Sequence, residues 1–131
     1  MTLRLRYAAR SDVGLVRGGN EDSGYASTRL LIVADGMGGH AAGELASATA
    51  VATLAHLELA PPQASEVLAA LAGAIDNTGA SIRAVIEADA DLAGMGTTVT
   101  SLYWMGERIA LVHVGDSRAY LMRGGVLTQL T

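Results

Sequence analysis

Apolar and polar residues alternate from the start of the chain: Leu3, Leu5 and Tyr7 stand against Arg4 and Arg6. A period of two predicts a strand with one buried face. A short strand is expected within Ser23–Thr28. Residues 29–35, RLLIVAD, then run apolar without interruption into an aspartate, the pattern of a strand covered on both faces. Only Ser27, Thr28 and Arg29 separate these two strands, so a hairpin is predicted. From Ala41 to Leu59 the spacing changes. Leu45, Ala48, Ala52, Ala55 and Leu59 recur three or four apart, the mark of one helical face, and Pro61–Pro62 ends that helix. Ser65 before Glu66 is the expected cap of a second helix. It would carry Val67, Leu68, Leu71, Ala74, Ile75, Ile82, Val85 and Ile86, with a kink or break expected at Gly73 or Gly79. Beyond Gly94–Met95–Gly96 the period returns to two. Residues 97–104, 108–114, 117–123 and 126–130 read as four strands separated by Gly106–Glu107, Gly115–Asp116 and Gly124–Gly125, all tight-turn chemistry. Strands, then two helices, then an antiparallel meander make an α+β chain with helices laid on a sheet.

Composition narrows the chemistry. The chain has 131 residues, room for a single domain. Half are hydrophobic but only 4% are aromatic and none is Phe, so Ala, Val, Leu and Ile must build the core. Formal net charge is -4 and the nine basic residues are all Arg, with no basic run. That excludes the basic stripe of a nucleic-acid binder and a polybasic membrane patch. There is no Cys, hence no disulfide framework, no thiolate metal site and no cysteine nucleophile. No segment approaches ~18 consecutive apolar residues, and the N-terminus lacks a signal peptide's apolar block. The expectation is a cytoplasmic chain.

The carboxylates carry the most information. Asp35 closes a buried-strand pattern, where a charge is expensive without a counter-charge. Gly36 follows directly, so its carbonyl and the Asp35 carboxylate are placed to face one ligand, a donor pair suited to Mg²⁺ or Mn²⁺. Gly38, Gly39 and His40 lead into a helix whose free N–H groups favour an anion. Taken alone, DGMGG reads equally as a glycine-rich turn, and Gly115–Asp116 as a plain hairpin turn. Two further stretches add weight. Arg17, Asn20, Glu21 and Asp22 crowd the approach to the first hairpin strand, and Asp116 lies between two apolar strands. Glu21, Asp22, Asp35 and Asp116 at one end of a sheet repel one another unless cations lie between them. Arg17 offers the bidentate fork that fits a phosphate. Two metal ions holding a water, with Arg orienting a phosphoryl group, form a consistent hydrolytic set.

The stretches SDVGLVRGGNEDS, LIVADGMGGHAAGE, MGTTVT and VHVGDSRAYL resemble, in order and over the whole chain, the PPM-type metal-dependent serine/threonine protein phosphatases (protein phosphatase 2C) in their bacterial form. The resemblance implies an antiparallel β-sandwich flanked by helices, with metals at one end. It implies two or three Mn²⁺ or Mg²⁺ ions and hydrolysis of phosphoserine and phosphothreonine by a metal-bridged water. By position, Asp35 would bridge two metals and Gly36 would lend its carbonyl. Glu21 would hold the second metal directly or through water, Asp22 would bond metal-bound water, and Asp116 would help hold a third ion. Arg17 would bind the substrate phosphate. Gly94, Gly96, Thr97 and Thr98 match a structural motif without an assigned catalytic role. Met37 stands where many eukaryotic members have a histidine suggested as general acid; His40 is nearby but displaced, and that role is not transferred to it. His113, in a strand pattern, reads as a packed or hydrogen-bonded residue.

The resemblance also implies partners: phosphoserine and phosphothreonine proteins, Ser/Thr protein kinases among them. It matches the N-terminal half of the family's catalytic domain. Residues 1–131 are thus expected to be one phosphatase domain truncated on its C-terminal side, with an incomplete sandwich and one wall of the metal centre. The other acids, Asp12 and Glu44 among them, are expected mostly on helices or turns remote from the site. Such a chain would be an inactive fragment of an active parent, able to pair with a second copy through its open sheet. A different reading is a catalytically dead phosphatase-like binding or regulatory module. A nucleotide-binding loop at GMGGH is disfavoured because the chain has no Lys for the phosphates.

Overall fold

The expected hairpin is present: β1 (Asp22–Ala26) pairs antiparallel with β2 (Leu30–Met37) in a computed structural model that describes residues 3–39 and 41–131. The turn between them is closed by Ser27, whose N–H donates to the Leu30 carbonyl and whose Oγ accepts the Leu30 N–H. Helix α1 (Ala42–Ala55) follows and ends in a 3-10 turn at His56–Glu58 before the two prolines. Helix α2 (Val67–Ala88) comes next. The chain then returns to the sheet as β3 (Gly96–Thr97), β4 (Val99–Trp104) and β5 (Ile109–Val114). Strand order is β1-β2-β4-β5, with β3 pairing the far end of β2, and every pairing is antiparallel. A separate two-stranded ribbon, β6 (Tyr120–Arg123) and β7 (Val126–Gln129), completes the described residues.

Both helices lie on one face of the sheet. Leu30, Ile32 and Ala34 of β2, Val99 and Tyr103 of β4 and Ala110 of β5 point into it. They meet Ala50 and Leu54 of α1 and Val67, Leu71 and Ala74 of α2. Fully burying a leucine such as Leu54 or Leu71 is worth about 1.5–3 kcal/mol. A smaller cluster of Ala42, Ala46 and Met95, with Ile82, Val85 and Ile86 packed on it, extends the core toward the C-terminal end of β2. That end carries Asp35.

Four local expectations are corrected. Residues 3–13 form no strand. Leu3 and Tyr7 are half exposed, and alternation alone makes no strand without a neighbour to complete the ladder. Residues 29–35 are not covered on both faces: burial alternates along β2, and Val33 is 55% exposed. The buried stripe of α1 is not the one the leucines mark. It is Ala42, Gly43, Ala46, Ser47, Ala50 and Leu54, while Leu45 and Leu59 face solvent. This helix is apolar on more than one side, so spacing cannot choose the face; close approach to β2 selects the small residues. Finally, α2 runs unbroken through Gly73 and Gly79, and Glu66 rather than Ser65 precedes it, with no side-chain cap. Packing of its long apolar face outweighs two glycines costing about 1 kcal/mol each.

Candidate metal and phosphate site

The site begins with strand register. Asp22 and Asp35 are direct partners across the β1–β2 ladder, so their Cβ atoms share one face about 4.5–5.5 Å apart. Like charges placed so are destabilising. The Asp35 carboxyl is accordingly held above its ordinary 3.8: partial burial at the cleft wall pushes it up, the hydrogen bond with Asp22 and repulsion from Asp22 and Asp116 add, and Arg17 pulls it down. Asp116 therefore reaches Asp35 electrostatically from the turn after β5.

Glu21 is fixed by its main chain. Its carbonyl accepts the Gly36 N–H at 3.2 Å and the Ser47 hydroxyl at 2.6 Å. Ser47 in turn shares a 2.8 Å hydrogen bond with Ser23 of β1. Its carboxylate rests on α1 at Gly43, where an added Cβ would lie 2.0 Å from Glu21 Oε2. Gly36 and Gly43 meet backbone to backbone: a Cβ on Gly36 would stand 1.9 Å from the Gly43 carbonyl oxygen. No side chain fits between them, which is why glycine occupies both positions. Asn20 supports the same corner, its Oδ1 accepting the Asp22 N–H at 3.0 Å and its Nδ2 donating to Ser11 at 2.7 Å.

A cleft of about 660 Å³ opens at this corner. Arg17, Glu21, Asp22, Asp35 and Gly36, all expected from the sequence, line it together. Asp116 is not on its wall and acts from the neighbouring turn. Asp12 and Glu44 also line it, which corrects their expected remoteness. The glycine contact draws the first turn of α1 onto β2 and brings Glu44 with it, a juxtaposition that sequence spacing does not encode. Ser47 and Gly43 were likewise missed; the available signal was a glycine inside a helical pattern, one turn before a serine. Arg17 makes no ion pair among the described residues; the one present joins Arg10 and Asp12 at the surface.

The donor set is all oxygen, carboxylate and carbonyl, which fits a hard dication. Among the described residues no group of three His, Asp or Glu converges closely enough to cage an ion. The fit is thus to an ion that keeps several waters, as Mg²⁺ habitually does. His113 stands outside the cleft, its Nδ1 hydrogen-bonded to Thr100 Oγ1 at 2.8 Å, as expected of a packed residue. His40 lies outside the described residues. No helix among them is long and apolar enough to cross a membrane.

Known proteins share this sequence and fold. The chain is 56% identical, over all its 131 residues and 25% of the relative's length, to the serine/threonine protein phosphatase PstP of Mycobacterium tuberculosis. It is 38% identical, over 93% of its length and 52% of the relative's, to the serine/threonine phosphatase stp of Listeria monocytogenes. A crystal structure of the PstP catalytic domain in complex with two manganese ions superposes with a TM-score of 0.93 at 56% identity, covering 98% of this chain and 55% of that one. The chain therefore spans about half or less of the relatives it matches. The family described as Protein phosphatase 2C matches residues 8–131, and with the fold and the acidic cleft in place, the chain belongs to that family.

Proposed function

We propose that this chain contributes the metal- and phosphate-binding wall of a protein serine/threonine phosphatase. The observation that carries the reading is the cross-strand pair Asp22–Asp35, set beside Glu21, the Gly36 carbonyl and the cation Arg17 in one open cleft. Asp35, Glu21 and the Gly36 carbonyl are the donors to Mn²⁺ or Mg²⁺; Asp22 accepts from water in the ion's shell, and Asp116 adds a donor from the adjacent turn. Divalent ions bound there lower the pKa of a water and polarise the phosphoryl oxygens. The chain's own residues supply the rest. Arg17 grips two phosphate oxygens and offsets charge as it develops. The Gly36–Gly43 contact keeps the cleft floor at backbone thickness, and Ser47 keeps Glu21 facing it. The substrates under this reading are phosphoserine and phosphothreonine proteins, kinases among them, met in the cytoplasm. The uncovered sheet face around Val33 and Ile109, each about half exposed, is the surface on which a second copy pairs; a monomeric sedimentation profile at micromolar concentration counts against that pairing.

The decisive experiment is hydrolysis of p-nitrophenyl phosphate and of a phosphothreonine peptide with and without Mn²⁺. Metal-dependent turnover that Asp35→Ala abolishes supports the reading. Turnover indifferent to metal or to Asp35 overturns it. A second reading, a phosphatase-like module that binds phosphopeptides without hydrolysing them, is favoured by the lack of a three-ligand cage among the described residues. It requires phosphopeptide binding that Arg17→Ala removes, with no turnover at any Mn²⁺ concentration.

A further inference from the structure

Thr98 sits where the sheet ladder is interrupted, between β3 and β4. The pairs Val33↔Thr100 and Gly36↔Thr97 on either side place it opposite Asp35. Its N–H donates to the Asp35 carbonyl at 2.9 Å, as a ladder residue's would. The return bond is different. The Asp35 N–H donates at 3.0 Å to the Thr98 side-chain oxygen Oγ1, not to its carbonyl. That carbonyl instead accepts the Thr97 hydroxyl at 2.8 Å. The same Oγ1 shares a hydrogen bond with the Ser117 hydroxyl, one residue beyond Asp116. Val99↔Val114 brings Gly115 alongside, and a Cβ on Gly115 would lie 2.7 Å from Thr98 Cγ2. Gly115 has φ +96°, so the turn bearing Asp116 closes directly onto the Thr98 side chain with no room for another group.

We propose that Thr98 is a positioning residue: its hydroxyl clasps the Asp35 main chain on one side and the Asp116 turn on the other, and so sets the separation of two carboxylates, one on β2 and one in the turn after β5. An amide and a hydroxyl held by one oxygen allow neither the strand nor the turn to slide without breaking a bond. The inference rests on the metal reading for its consequence, since groups that orient metal ligands typically change metal affinity by about 10–100-fold when removed. It does not rest on that reading for its geometry. Valine keeps the shape of threonine and lacks the acceptor, leaving the Asp35 N–H unpaired; serine keeps the hydroxyl.

The test has two arms, both on the full 131-residue chain. In the metal-free protein, amide exchange and ¹⁵N spectra are compared for wild type, Thr98→Val and Thr98→Ser. Faster exchange at Asp35 with shifted Asp116 and Ser117 resonances in the valine variant, restored by serine, is the expected result; unchanged exchange at Asp35 overturns the clasp. In the second arm, Mn²⁺ binding is titrated calorimetrically. Affinity about tenfold or more weaker for Thr98→Val, and near wild type for Thr98→Ser, is expected. Equal binding by all three, or loss in both variants alike, overturns the positioning role. If Thr98→Val does not fold, Ser117→Ala spares the bond to Asp35 and cuts only the link to the turn: Mn²⁺ binding weakens if the clasp operates, and stays at wild type if it does not. A wild-type chain that takes up no Mn²⁺, yet shows exchange at Asp35 controlled by Thr98, overturns the metal reading and leaves the clasp standing.

Discussion

Asp35 shows what one residue position costs and what it makes available. Its carboxyl is raised by partial burial and by its neighbours Asp22 and Asp116. A carboxyl whose folded pKa lies above its unfolded one favours the metal-free fold only at low pH. That contribution is complete below the ordinary 3.8 and is lost as pH rises through the raised folded value. At neutral pH the ionised group therefore works against the metal-free chain. Asp35→Asn should raise the melting temperature of the metal-free protein at pH 7 while removing the stabilisation that Mn²⁺ confers on wild type, about 2.7 kcal/mol at a hundredfold excess over Kd. Differential scanning fluorimetry with and without Mn²⁺ reads both effects, and a metal-free melting temperature below wild type contradicts the repulsion described here. The same sign applies to binding: Mn²⁺ competes with a proton on Asp35, so affinity falls as pH drops toward the raised value. Most of these residues were legible in the sequence, because Asp35, Glu21, Asp22 and Arg17 stand beside strand ends that the hydrophobic pattern already marks. Asp12 and Glu44 were not, since a loop and a helix bring them to the cleft only after folding.

At the level of elements, the crossing of α1 over β2 decides both stability and site geometry. The sequence pattern located this helix but not its buried side, because leucine at positions 45 and 59 outweighs alanine and glycine in any hydrophobicity count. The structure turns the small residues inward, where Gly36 and Gly43 touch. Two predictions separate these faces. Leu54→Ala, at a fully buried position, should cost about 2–5 kcal/mol, whereas Leu45→Ala, on the solvent side, should stay within about 0.5 kcal/mol; urea denaturation compares them, and the reverse ranking would restore the face read from the sequence. Gly43→Ala tests the site rather than the core. Its new Cβ must move the Glu21 carboxylate and presses on Gly36, whose carbonyl carbon lies 3.0 Å from it. Overpacking of this kind costs about 1–3 kcal/mol. Calorimetric Mn²⁺ titration of the folded variant should show weaker binding than wild type, and unaltered affinity would mean that Glu21 takes no part in holding the ion.

The whole molecule separates its stabilising core from its chemistry. Leu30, Ile32, Leu54 and Leu71 fill the space between sheet and helices, while the donors gather where β1 and β2 meet the start of α1. The α+β order and the β1–β2 and β4–β5 hairpins were readable because turn residues and period-two patterns are local signals. The uncovered outer face of β2 was not, because an apolar run looks the same whether one side or both is packed. This division has a consequence for metal removal. In a small domain whose core is its metal, chelation unfolds the chain. Here the buried apolar cluster is independent of the cleft, so excess EDTA should leave the far-UV circular dichroism and a cooperative melt intact. The melting temperature alone should fall, to the value of the never-metallated chain. The Asp35→Ala variant should then melt at one temperature with or without EDTA. Loss of helical signal on chelation would place the metal within the folding core and contradict the separation of scaffold from site.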